Sequence, residues 1–350
     1  EDSDEGIDDA NVPIYELVRE AVRLANNDIN FREYDTDNDG EVDNLIIIHS
    51  GQDQAYSANP DDIWSHCWYL PDEGELVDGV YVKNYILVSE FSPLGVIAHE
   101  FFHNLGAPDL YDIDFDGFPT AQYCLMSYGA WLNDGNTPSN ICAYLKMDID
   151  ANPDNGYIGW LAPFELSDSS GTFNILSLSN WSDFNNANRV YRINTQNQNE
   201  YFIITYRKKN GYDYYLPDEG ILIWHIDESM PDKSKWLNAG TPLNSFYRIN
   251  LISPDINDKY KFDAAFSLND NQFIISPFTI PNTNLNNGEY SNIVIKNISA
   301  ITDIMSFTFE KTYGPILLNN FNIVQTNDND TMLEENETAV IEIYLKNYGT

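Results

Sequence analysis

Basic residues are scarce in this chain. Its 350 residues hold 18 lysines and arginines against 55 aspartates and glutamates, a formal net charge of −37. So negative a surface repels phosphate backbones and anionic headgroups, which argues against nucleic-acid and acidic-membrane partners. Self-repulsion on that scale also opposes a compact state unless cations are recruited; structural calcium is one remedy and a salty medium another. There are three cysteines, Cys67, Cys124 and Cys142. An odd, low count is no disulfide framework and leaves room for one bridge and a free thiol. No arrangement around any of them supports a nucleophile, so all three read as structural. A run of 18 or more apolar residues is missing, so no helical membrane span is expected. A signal peptide is missing too: the chain opens on the acidic EDSDEGIDDANVP and stops inside the strand pattern IEIYLKNYGT. It therefore reads as a mature or trimmed fragment.

What is present is ordinary for a globular protein. Hydrophobic residues at 43% and aromatics at 14% suffice for a sizeable core, and the length favours more than one domain. Residues 13–32 show helical spacing of Ile14, Leu17, Val18, Ala21 and Leu24 after an early proline. A buried-type strand is expected at 45–48 and a second at 81–90, followed by a helix from Leu94 to Leu105 that Gly106 stops. From 163 to 312 short strands alternate with Asn, Asp, Gly and Ser, a β-sandwich pattern. The predicted organisation is an α/β (α+β) catalytic domain over 1–160, a β-rich sandwich over 161–312, and the start of an immunoglobulin-like β module over 313–350.

Within the predicted helix lies HEFFHNLGAPD, residues 99–109. His99 and His103 share a helix face and can offer two imidazole nitrogens to one zinc ion. Zinc needs a third protein ligand, and Asp109 stands ten residues after His99, where the elongated HExxHxxGxx(H/D) pattern places it. An aspartate in place of histidine adds negative charge and should make a zinc-activated water less acidic. Glu100 then reads as the general base. Further on, CLMSYG puts Met126 where metzincins carry their Met-turn, beneath the metal, and Tyr128 where a hydroxyl could steady an oxyanion.

These pieces, with FREYDTDNDGEVDNLIIIHSG and DIWSHCW upstream and NEYFIITYRKKNGYDYYLPDEGILIWHIDE downstream, resemble the immune inhibitor A-like metallopeptidases of the metzincin clan. The likeness covers about residues 30–230, in the family's order. It implies a metzincin-like fold and a secreted zinc endopeptidase, with His99, His103 and Asp109 as ligands and Glu100 as base. Two departures stand out: Cys67 follows WSH where another residue is expected, and the family's first strand and propeptide are lacking. The small snapalysin-type metzincins share HExxHxxGxxD but are much shorter and lack the long β region.

Two acidic clusters suggest calcium. Asp35, Asp37 and Asp39, with Glu41, Asp43 and the intervening Gly40, match the first half of a calcium loop. Position 12 of that loop is Ile46, so it is no complete EF-hand. Asp112, Asp114 and Asp116 before Gly117 form a shorter second cluster. His49, His66 and His225 read as core or sheet-end histidines, with His66 and His225 as candidates for the cleft. The expected partners are protein or peptide substrates of a monomeric extracellular enzyme, held at a cell surface if further C-terminal modules follow. The competing reading is a non-catalytic, calcium-dependent adhesion module on a peptidase scaffold.

Overall fold

The computed structural model describes residues 14–112, 117–149, 151–152, 157–166, 170–179, 188–230, 246–312, 316–326 and 339–347. Helix α1 (Ile14–Ala25) buries Ile14, Val18 and Val22 along one stripe. After it come β1 (Ile46–His49), the single turn α2 (Gln54–Ser57), β2 (His66–Tyr69), β3 (Glu75–Val77), β4 (Val80–Val82) and β5 (Asn84–Ser89). The expected strand over 81–90 is thus two strands. β3 and β4 form a hairpin whose two turn residues, Asp78 and Gly79, both have positive φ, the combination a tight two-residue turn requires. β5 is the buried centre of a three-stranded sheet in the order β1-β5-β2, parallel to β1 and antiparallel to β2. That order leaves β2 with one open edge in its sheet.

Helix α3 (Leu94–Asn104) follows β5 directly. Its second residue is glycine for a steric reason: a Cβ on Gly95 would sit 1.9 Å from the carbonyl oxygen of Ala130. The helix start therefore lies flush on the segment through Met126. At the other end Gly106, at φ +90°, turns the backbone sharply out of the helix. α4 (Ala143–Asp148) and the short antiparallel pair β6 (Ala151–Asn152) and β7 (Tyr157–Ile158) close this region.

Eight strands follow: β8 (Phe164–Leu166), β9 (Gly171–Leu176), β10 (Val190–Asn194), β11 (Glu200–Arg207), β12 (Gly220–Asp227), β13 (Ile249–Ile252), β14 (Ile293–Lys296) and β15 (Ile304–Lys311). They form a five-stranded sheet, β13-β12-β11-β10-β8, and a three-stranded sheet, β14-β15-β9. Phe202, Ile204 and Tyr206 on one face of β11 pack with Met305, Phe307 and Phe309 of the small sheet. On the opposite face Tyr201 and Ile203 join Leu222 and Trp224 of β12 in a cluster with Leu125, Met126 and Leu145. The larger sheet is thus a middle layer, covered on both faces. This explains why YFIITYR and GILIWHID lack the clean alternation of a strand with one solvated face. Each such side chain contributes about 1.5–3 kcal/mol through burial. A single hydrophobic cluster accordingly runs across position 160, from Tyr123 to Trp224.

In the C-terminal stretch, β16 (Ile316–Thr326) and β17 (Ala339–Asn347) pair antiparallel, with register shifts at Leu318/Asn320 and Ile323/Gln325. No helix among the described residues is long and apolar enough to cross a membrane.

Candidate metal centre

α3 carries His99, Glu100 and His103, and the turn at Gly106 brings Asp109 back beneath the helix. The two imidazoles stand edge to face with centroids 4.8 Å apart. Their Nε2 atoms lie 3.0 Å and 3.3 Å from one carboxylate oxygen, Asp109 Oδ1. His99 Nδ1 faces the Leu125 carbonyl oxygen at 3.0 Å and His103 Nδ1 faces that of Ala107 at 2.7 Å. A carbonyl oxygen only accepts, so each Nδ1 carries the proton, and in the neutral ring each Nε2 presents a lone pair. Those lone pairs converge on an anionic oxygen that is buried and has no hydrogen-bond partner. Only a cation reconciles the three.

Without a metal that cation is a proton. Burial works to lower the pKa of His99, but the hydrogen bond to Asp109 and its charge outweigh this and push the value up to about 9. Burial likewise works to raise Asp109, and the two imidazoles outweigh it, so its pKa falls below the usual carboxylate range. Two imidazoles and a carboxylate with donor atoms within 4.8 Å of one another are the donor set of a mononuclear zinc site. The residues present fit that ion.

Glu100 is only 8% exposed. Burial raises its pKa, while the neighbouring histidines pull it down less strongly. It lines a cleft of about 350 Å³ together with His99, His103 and Asp109. Trp64, Trp68 and Trp131 supply apolar walls, and Tyr111 and Tyr128 bring two hydroxyl groups. Tyr111 stacks on His99 with ring centroids 6.5 Å apart, and Tyr128 leans on Phe118 at 5.0 Å. Sequence alone does not single out Tyr111 and the tryptophans; Tyr111 lies in DLYD beside the motif, Trp64 and Trp68 lie just before and on β2, and Trp131 lies three residues after Tyr128.

The segment through Met126 supports this site from beneath. Met126 is fully buried, Leu125 O holds His99, and Met126 O accepts the amide of Leu110, next to Asp109, at 2.7 Å. Ser127, buried in the same cleft, has a hydroxyl without a partner.

The acidic loop is partly gathered. Asp35, Asp37 and Asp39 bring carboxylate oxygens within 4.8 Å of one another. Gly40, at φ +91°, donates its amide to Asp35 Oδ2 at 3.1 Å. Glu41 instead turns to Lys83, and Asp43 Oδ2 accepts the Thr36 hydroxyl at 2.6 Å, so neither joins that triad. In the second loop Asp112 Oδ2 accepts from the Gly117 amide and the Tyr247 hydroxyl. Asp114 and Asp116 lie outside the described residues.

His66 does line the cleft, with Nδ1 on the Trp64 carbonyl and Nε2 near the Tyr85 hydroxyl. His225 does not: it pairs with Glu200 at 2.9 Å and stacks on Phe202. His49 ends β1, its Nδ1 3.1 Å from the Ser50 carbonyl oxygen. Cys67, Cys124 and Cys142 form no disulfide with one another, and the last two are buried.

A helix-borne HExxH whose imidazoles meet a carboxylate beyond a glycine turn defines the metallopeptidase class of site. Residues 5–152 match the family model described as immune inhibitor A peptidase M6, catalytic domain. The chain is 33% identical to Immune inhibitor A of Bacillus thuringiensis subsp. alesti, over 31% of this chain and 20% of that relative. It is 29% identical to the pre-pro-metalloprotease PrtV of Vibrio cholerae serotype O1 (strain M66-2), over 38% of this chain and 18% of that protein. These matches cover about a fifth of each relative's length. Over the part that holds the site, the chain is similar to the immune inhibitor A-like metallopeptidases.

Proposed function

We propose that this chain is a secreted zinc-dependent endopeptidase of metzincin type. The observation that carries the reading is the convergence of His99, His103 and Asp109 on one point beside the buried Glu100, in a cleft with aromatic walls. Zinc, held by those three residues, would supply Lewis-acid chemistry at the scissile carbonyl and at the attacking water. Glu100 takes the proton from that water and passes it to the leaving amine, and its burial favours a carboxylate basic enough for the task. Extended substrate pairs along the open edge of β2, where backbone hydrogen bonds hold it across the cleft. Tyr128 donates to the developing oxyanion. The Met126 side chain supports the histidine shelf by packing and binds no zinc.

Asp35, Asp37 and Asp39 bind calcium, an ion suited to an all-oxygen donor set, and so offset part of the acidic surface. The β16–β17 pair begins an immunoglobulin-like module, and the whole acts on proteins outside the cell, the setting in which its relative's printed "pre-pro" prefix fits.

Metal analysis of the purified chain by mass spectrometry tests the reading. One zinc per chain, and casein cleavage that stops on zinc-selective chelation without unfolding, are the expected results. A chain without zinc that cleaves regardless overturns it. The adhesion-module reading is disfavoured by Glu100, which a non-catalytic scaffold has no use for. The snapalysin-type reading is disfavoured by the ten strands described beyond residue 160.

A further inference from the structure

Two of the three metal donors depend on one short stretch of backbone. Leu125 O fixes the ring of His99 at 3.0 Å, and Met126 O fixes Leu110, the neighbour of Asp109, at 2.7 Å. Whatever holds residues 123–126 therefore holds the donor geometry.

That stretch is tied down from the β-sheet side. Arg207, the last residue of β11, points its guanidinium at the underside of the segment. Nη1 donates to the Tyr123 carbonyl at 3.2 Å and Nη2 to the Asn140 carbonyl at 3.4 Å. Nε donates to Asp213 Oδ2 at 2.7 Å, and Nη2 also pairs with Asp213 Oδ1. Asp213 in turn accepts the Asn140 amide at 3.0 Å. Two residues on, the Cys142 amide reaches Cys124 Sγ at 3.3 Å, a second tie between the same two strands of backbone. The Arg207 and Asp213 side chains are 2% and 0% exposed.

Burying an ion pair is a poor way to gain stability, because desolvation offsets most of the attraction. What the pair does supply is geometry. A guanidinium is the one side chain whose fixed fork can bind a carboxylate through two nitrogens while donating to two carbonyls. Here one carbonyl, that of Tyr123, belongs to the backbone that cradles the site, and the other, that of Asn140, to the neighbouring segment tied to it. Arg207 and Asp213 lie past residue 152, beyond the region matched to the catalytic-domain family.

The geometry points to Arg207, oriented by Asp213, as a positioning residue of the metal centre. It sets the Tyr123–Met126 backbone, which orients His99 and Asp109. This rests on the metallopeptidase reading above, and it extends the functional unit into the five-stranded sheet.

The test uses the full chain and three variants. Arg207→Lys keeps the charge and loses the fork. Arg207→Met combined with Asp213→Leu removes both charges and leaves none unpaired, a replacement buried pairs tolerate, so it serves where Arg207→Lys fails to fold. Arg248→Met is the comparator: Arg248 is a part-buried arginine that bonds Glu228 and the Met230 carbonyl. The readouts are zinc affinity by chelator competition, the visible spectrum of the cobalt(II)-substituted chain, and the melting temperature. The expected result is zinc affinity weakened roughly 10-fold in the Arg207 variants, the lower end for outer-shell partners, with a changed cobalt spectrum. Arg248→Met should melt lower with affinity and spectrum unchanged. Arg207 variants that melt lower yet match the parent in affinity and spectrum overturn the proposal and leave the zinc assignment standing. A parent chain that binds no zinc overturns the metallopeptidase reading itself, and this inference with it.

Discussion

His103 Nε2 and Asp109 Oδ1 face each other at 3.3 Å across the turn that Gly106 makes. The same oxygen lies 3.0 Å from His99 Nε2. An aspartate so placed is the proposed third ligand of the donor set. Asp109→Ala should therefore lower zinc affinity by roughly 100-fold or more, since one of three protein ligands is gone, a larger loss than the 10-fold minimum for an outer-shell change. Asp109→His should retain zinc, because imidazole binds at a similar length. Chelator competition measures both, and an alanine variant that binds as tightly as the parent would remove Asp109 from the ligand set.

Glu100 sits within the same cleft, and the role proposed for it is proton transfer. Glu100→Gln is nearly isosteric, so zinc content and melting temperature should hold while casein hydrolysis falls about 10²–10⁴-fold, the usual contribution of a general base. Undiminished cleavage would sink the assignment. Tyr128→Phe should lower kcat about 10²-fold with KM little changed, as for loss of an oxyanion donor; a loss confined to KM would make Tyr128 a binding residue only.

Lys146 on α4 is 5% exposed, and burial, reinforced by the charge of Arg207, pulls its pKa down from 10.5 to about 8. Between those values the unfolded chain binds more protons than the folded one, so this group makes stability rise with pH across that window. Below it the lysine is charged in both states and the burial cost is present in full. Lys146→Met should melt higher than the parent at pH 7, with the gain shrinking as pH approaches 10. Paired thermal melts at several pH values decide it, and a gain independent of pH would contradict the assignment.

Legibility in the sequence follows how local each interaction is. HEFFH and Asp109 were readable because a helix turn and one glycine bring them together within eleven residues. Helix α3 and its end at Gly106 were readable for the same reason. The carbonyl of Leu125 was not, since any residue there supplies the same oxygen. Trp131 and Trp68 share the cleft only through the fold. β11 and β12 were read as strands of a sandwich, but periodicity carries no sign that a third layer covers their second face. The side chains of Glu41 and Asp43 show the same limit within one loop. Their spacing suits calcium, yet Lys83, 42 residues away from Glu41, and Thr36, seven from Asp43, offer competing partners.

The loop at Asp35, Asp37 and Asp39 gives the last prediction. Three carboxylates within 4.8 Å repel one another unless a cation sits among them. Calcium bound to the folded chain alone stabilises it by mass action, by about 2.7 kcal/mol at a hundred times its dissociation constant. Adding calcium should therefore raise the melting temperature in a concentration-dependent way, and Asp37→Asn should weaken that response without altering zinc content. Thermal melts with calcium added or chelated read it directly. The acidic surface predicts a smaller, unsaturable gain from any salt through screening, so sodium chloride at matched ionic strength is the control. A melting temperature that calcium moves no further than sodium would leave the loop an acidic turn held by the bonds of Asp35, Asp37 and Asp39 to its own backbone amides.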